Sequence, residues 1–106
     1  MTVVSINTTY RGASAAVVEN KITQALEERV GGVDGILKLE SDSSDERSSI
    51  RIEFYVDRDI DDAANDVRAR VARALASLPP EADPPQVTKA DASAESVMFL
   101  NFKAEG

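Results

Sequence analysis

Residues 50–57 alternate without a break: Ile50, Ile52, Phe54 and Val56 fall on one side of a pleat, Arg51, Glu53, Tyr55 and Asp57 on the other. A period of two predicts a half-buried strand. The same alternation opens the chain, where Val4, Ile6 and Thr8 interleave with Ser5, Asn7 and Thr9. A strand is expected over residues 35–41 with Leu37 and Leu39 on one face, and another over residues 86–89. Residues 41–49 are too charged to bury and predict a polar hairpin-type loop.

Two segments switch to helical spacing. After a turn at Tyr10-Arg11-Gly12-Ala13, Ser14 is placed to cap a first helix on which Ala15, Val18, Ile22, Ala25 and Leu26 share a stripe. Gly31-Gly32 is expected to end it in the left-handed conformation. A second helix begins near Asp59, with Asp61 and Asp62 where carboxylates favour the positive end of the helix dipole. Ile60, Ala64, Val67, Val71, Ala74, Leu75 and Leu78 form its stripe, and Pro79-Pro80 stops it. Pro84-Pro85 leads into the fourth strand, and a polar bridge leads to a last apolar run at residues 97–102.

The order βαββαβ plus one strand predicts an α+β fold, the ferredoxin-like split βαβ, with an antiparallel sheet and two helices on one face. A length of 106 residues suits one such domain, over residues 1–92. Met98, Phe99, Leu100 and Phe102 are apolar on both sides of the pleat. Residues 93–106 are therefore expected to be a linker and the opening strand of a next unit, or an apolar binding surface, or an edge strand of this sheet. Strand patterns at both ends predict a piece of something longer.

Composition removes whole classes of chemistry. Without cysteine or histidine, the sequence has no thiolate nucleophile, no disulfide, no imidazole base and no usual zinc site. A net charge of −7 argues against nucleic acid, since Arg68, Arg70 and Arg73 are interleaved with acidic residues. No apolar run reaches membrane-spanning length, and no signal peptide is expected. No phosphate-cradling glycine motif and no catalytic triad occurs, so an enzyme is not expected.

Asp57, Asp59, Asp61, Asp62 and Asp66 could be read as a divalent-cation site. Helix-dipole carboxylates plus an Asp66–Arg70 pair four residues apart explain the cluster better. Asn65, Ala69, Ala72 and Ala76, flanked by Arg73, fall together opposite the buried stripe of the second helix. Small residues there either admit a neighbouring helix or simply reflect alanine's helix propensity, and both readings stand.

The run from Val3 to Ser14 follows the pattern V-x-I-x-x-x-Y-x-G-A. It resembles the opening of the periplasmic porter region of resistance–nodulation–division (RND) efflux permeases. So do Val18-Glu19, Gly32-Val33-Asp34-Gly35-Ile36, Ser41-Asp42-Ser43-Ser44, the strand at residues 50–57, Ala64-Asn65-Asp66-Val67-Arg68-Ala69-Arg70-Val71, Leu78-Pro79 and Pro84. The likeness covers essentially the whole chain and favours the multidrug branch over the heavy-metal branch.

The resemblance implies the first porter subdomain of a trimeric, proton-driven inner-membrane antiporter, on the periplasmic face. It implies a periplasmic adaptor protein and an outer-membrane channel as partners, hydrophobic or amphiphilic small molecules as cargo, and no cofactor. The second helix would be the family's pore helix, meeting its copies through Asn65, Ala69, Ala72, Arg73 and Ala76. Ser93, Glu95, Ser96, Val97 and Phe99 would line the substrate pathway, with serine at Ser96 where relatives can carry an aromatic. The alternative is a free-standing ferredoxin-like ligand-binding or regulatory domain that oligomerises through its sheet or edge strand.

Overall fold

In the computed structural model, which describes residues 2–91, the two alternating segments pair at the centre of one sheet. β1 (Thr2–Thr9) and β3 (Arg47–Phe54) run antiparallel, with Val4 opposite Ile52 and Ile6 opposite Ile50. β2 (Ile36–Ser44) pairs with β3, and β4 (Gln86–Asp91) with β1, in the order β2-β3-β1-β4. Every pairing is antiparallel. The chain has the α+β architecture expected, compatible with a split βαβ. The last apolar run, residues 97–102, lies outside the described residues.

The first helix contains a change of winding. It is α over Ala15–Val18, a π turn over Glu19–Thr23, and α again over Gln24–Val30. Its fully buried apolar residues, Val18, Ile22, Leu26 and Val30, are spaced by four throughout. In unbroken α-helix such a spacing drifts about 40° per step away from the core. A π turn advances less per residue and turns the second half back toward the sheet. Ser14 caps this helix as expected, its Oγ accepting from the Val17 amide at 3.3 Å.

The second helix spans Ile60–Ala74 and tightens into a 3-10 turn over Leu75–Ser77. Asp59 caps it, Oδ2 accepting from the Asp62 amide at 3.0 Å. Ala63 and Ala64 are fully buried, so the helix backbone lies close to the sheet. The core joins both helices to Val4, Ile6, Ile50, Ile52 and Phe54. Each large apolar side chain there stabilises the fold by about 1.5–3 kcal/mol relative to exposure.

Several expectations are corrected. Gly31 ends the first helix in right-handed conformation, φ −62° and ψ −18°, so no left-handed cap forms there. Among the described glycines the positive φ angles fall at Gly12, 83°, and Gly35, 85°. Leu37 does not share a face with Leu39. A bulge between Ile36 and Lys38 rotates Leu37 outward to 50% exposure, while Ile36 and Leu39 pack on the core. β3 stops at Phe54, and the turn closed by Arg58 N donating to Tyr55 O leaves Val56 88% exposed. Leu75, expected in the core, is 48% exposed where the helix changes winding.

The expected loop at residues 41–49 is mostly strand, with only Asp45 and Glu46 in the turn. Ser48 and Thr23 are fully buried because they satisfy each other: Thr23 Oγ1 lies 2.7 Å from both Ser43 Oγ and Ser48 Oγ.

Candidate functional site

The second helix has a buried face and a free one. Ala63, Ala64, Val67, Val71 and Ala74 close against the sheet, whereas Asn65, Ala69, Ala72, Arg73 and Ala76 are all exposed, as their spacing predicts. Asn65 Oδ1 accepts from Arg68 Nη1 at 3.1 Å, a bond along the surface of the same helix. Alanine at three of these positions leaves the backbone open to close approach over about two turns.

Two shallow grooves flank this face. One, of about 230 Å³, lies between Gly32–Asp34 of the first-helix connection and Ala69, Arg70 and Arg73. The other, of about 340 Å³, runs between Ala72 and Leu75 on the helix and Pro84, Pro85 and Val87 leading into β4. Leu75 therefore adds an exposed apolar side chain to the rim of the helix face. It is exposed where the winding tightens into the 3-10 turn that begins at Leu75.

The helix is pinned at its acidic end. Lys89 Nζ lies 2.6 Å from Asp61 Oδ1, tying β4 to the first turn. The hydrogen bond from Lys89, helped by its charge, holds the Asp61 carboxyl below its ordinary value of 3.8. Asp66 does not pair with Arg70 as expected; it pairs with Arg58, whose guanidinium carbon sits 5.9 Å from the centre of the Phe54 ring. Arg70 instead reaches across to the last turn of the first helix, Nη1 donating to Arg29 O at 3.2 Å. That carbonyl has no partner within its own helix end, and a cation there is favoured by the dipole.

The acidic residues thus diverge. Asp59 caps, Asp61 binds Lys89, and Asp66 binds Arg58. Among the described residues, no three acidic, cysteine or histidine side chains converge as a metal site. Among them, no helix is long and apolar enough to cross a membrane. Ser93, Glu95, Ser96, Val97 and Phe99, assigned to a substrate pathway, lie outside the described residues.

Comparison with known proteins gives this geometry a context. A family model described as the AcrB/AcrD/AcrF family matches residues 1–106. The multidrug resistance protein MdtC of Salmonella newport is 33% identical over 105 residues, 97% of this chain and 10% of that protein. The swarming motility protein SwrC of Bacillus subtilis is 28% identical over 107 residues, 99% of this chain and 10% of its own length. An uncharacterized transporter of Haemophilus influenzae is 29% identical over 104 residues, 98% of this chain and 10% of its length. The chain spans about a tenth of the length of these relatives.

Proposed function

The chain belongs to the AcrB/AcrD/AcrF family, and from that membership we propose that it is the first porter subdomain of a proton-driven RND efflux permease of the multidrug branch. In this reading residues 1–92 form the subdomain and residues 93–106 lead into the next. The observation that carries it is the two-faced second helix, closed on its own sheet on one side and lined by exposed Asn65, Ala69, Ala72 and Ala76 on the other. A helix with small residues on its outer face suits contact with its own copies, so three of them meet at a trimer axis in the parent protein, with Arg73 at the margin.

The parent sits in the inner membrane with this part on the periplasmic side. A periplasmic adaptor protein and an outer-membrane channel continue the route. Hydrophobic or amphiphilic compounds pass along a path that includes Ser93, Glu95, Ser96, Val97 and Phe99, with Phe99 supplying apolar contact. The chain guides and contacts; it catalyses no reaction. The name of the MdtC relative supports the multidrug branch.

The test is to express the parent reading frame in a drug-sensitive host. Membrane spans on both sides of this segment, and lowered accumulation of an amphiphilic dye that returns when the proton gradient is collapsed, are expected. A gene product that ends near residue 106, or a membrane-inserted parent that leaves dye accumulation unchanged, overturns the reading.

A further inference from the structure

Asp45 Oδ1 accepts from the amide of Ala15 at 2.8 Å, so the turn of the β2–β3 hairpin caps the first helix from 30 residues away. Beside it, Glu46 Oε2 accepts from the Gly12 amide at 2.9 Å. The Glu46 carbonyl accepts from Tyr10 N at 2.8 Å, and its amide donates to Ala13 O at 2.9 Å. Glu46 holds φ 68°, a left-handed conformation that is costly without glycine. Its three contacts with the loop preceding the helix hold it there.

Farther along the hairpin, hydroxyls take over. Ser43 Oγ donates to Glu19 Oε1 at 2.7 Å, and Ser41 Oγ donates to Glu27 Oε2 at 2.6 Å. An ionised carboxylate only accepts, so Ser43 spends its one proton on Glu19 and must accept from Thr23. Thr23 then accepts from Ser48. The chain Ser48–Thr23–Ser43–Glu19 has one direction, and it includes Glu19 and Thr23, the first and last residues of the π turn.

Residues 41–49, SDSSDERSS, contain no apolar side chain. Apolar anchoring of the hairpin resumes only at Leu39 and Ile50. Lifting the tip exposes hydroxyls, carboxylates and backbone that water can satisfy; in the facing loop only Ala13 and the partly buried Tyr10 touch the core, while the core strands keep their burial. This is the make-up of a segment that opens below the cost of global unfolding.

We propose that the hairpin tip, residues 41–49, and the loop at residues 10–15 form one cooperative opening unit, a polar latch seated on the π turn. Release of the latch uncaps the first helix and leaves the β1–β3 centre paired. Its two halves, the Asp45–Glu46 turn and the hydroxyl chain, are thermodynamically one.

Amide hydrogen exchange of the 106-residue chain, followed by NMR across sub-denaturing urea, tests this. The amides of Tyr10, Gly12, Ala15 and Glu46 and those of the tip strands are expected to share one opening free energy. Its dependence on urea should be weaker than that of the Ile6 and Ile50 amides. Asp45→Ala removes the cap, and Thr23→Val removes the hydroxyl chain at the other end with little change in size. Each should speed exchange of the whole set together, by roughly five- to tenfold. Scattered opening energies, a shared set with the urea dependence of the sheet centre, or a variant that moves only its immediate neighbours overturns the proposal. The wild-type isotherms decide the point alone if either variant fails to fold.

Discussion

Lys89 Nζ lies 2.6 Å from Asp61 Oδ1, joining the last strand of the sheet to the first turn of the second helix. The carboxylate stands where the helix dipole already favours negative charge.

Lys89 holds the folded pKa of Asp61 below 3.8, first through the hydrogen bond and then through its charge. A depressed carboxyl pKa contributes stability that is complete above the unfolded value and disappears as pH falls through the folded one. Lys89→Met should therefore lower the urea midpoint at neutral pH and low salt. The difference from wild type should close as pH falls below 3.8 and through the lowered folded value. Both side chains are largely exposed, so roughly 1 M salt should also shrink it. Urea titrations at two pH values and two salt concentrations check all three statements.

Gly35 and Gly31 should respond unequally to alanine. Gly35 has φ 85°, and a Cβ there would meet Arg58 Cδ at 3.2 Å. Gly35→Ala is expected to cost about 1–2 kcal/mol. Gly31 is right-handed at φ −62°, so although a Cβ there would meet Glu27 O at 3.1 Å, Gly31→Ala carries no left-handed penalty and should cost less than Gly35→Ala. Thermal denaturation of the two variants reads the contrast directly.

Ile22 follows the π turn's inward swing and is fully buried. Ile22→Val should cost about 0.5–1.5 kcal/mol and Ile22→Ala about 2–5 kcal/mol, the steeper loss reflecting the cavity left behind. Chemical denaturation with an unchanged slope would show that only stability moved.

Ala72 touches solvent on the free face of the second helix. On the proposed pore-helix reading, Ala72→Glu in the parent permease should reduce drug efflux or trimer yield. The same substitution in this chain should leave the thermal midpoint within a few degrees of wild type, as exposed helix positions usually do. Unchanged resistance with normal expression would count against that face as an interface.

The order of elements was legible because it depends on periods of two and about 3.6 that neighbouring residues carry themselves. The Ser14 cap was legible for the same reason, since a cap bonds an amide three residues away, and the helix start near Asp59 was legible with it. The outward face at Asn65, Ala69, Ala72, Arg73 and Ala76 followed from angle alone. The π turn was not legible: the stripe Ala15, Val18, Ile22 and Ala25 alternates three and four, and the repeat by four at Val18, Ile22, Leu26 and Val30 emerges only from their burial.

What the sequence by itself determined is the βαββαβ course, the alternating central strands and the two faces of the second helix, because these are local periodicities read against one core. Only the tertiary structure decided that Asp66 pairs with Arg58 in place of Arg70, that Leu37 swings out at a bulge, and that Ser48 in the hairpin becomes buried. Charged and hydroxyl groups take whichever partner the packed chain brings within hydrogen-bond distance. Those partners lie 8 and 25 residues away for Asp66 and Ser48, beyond the reach of any local pattern.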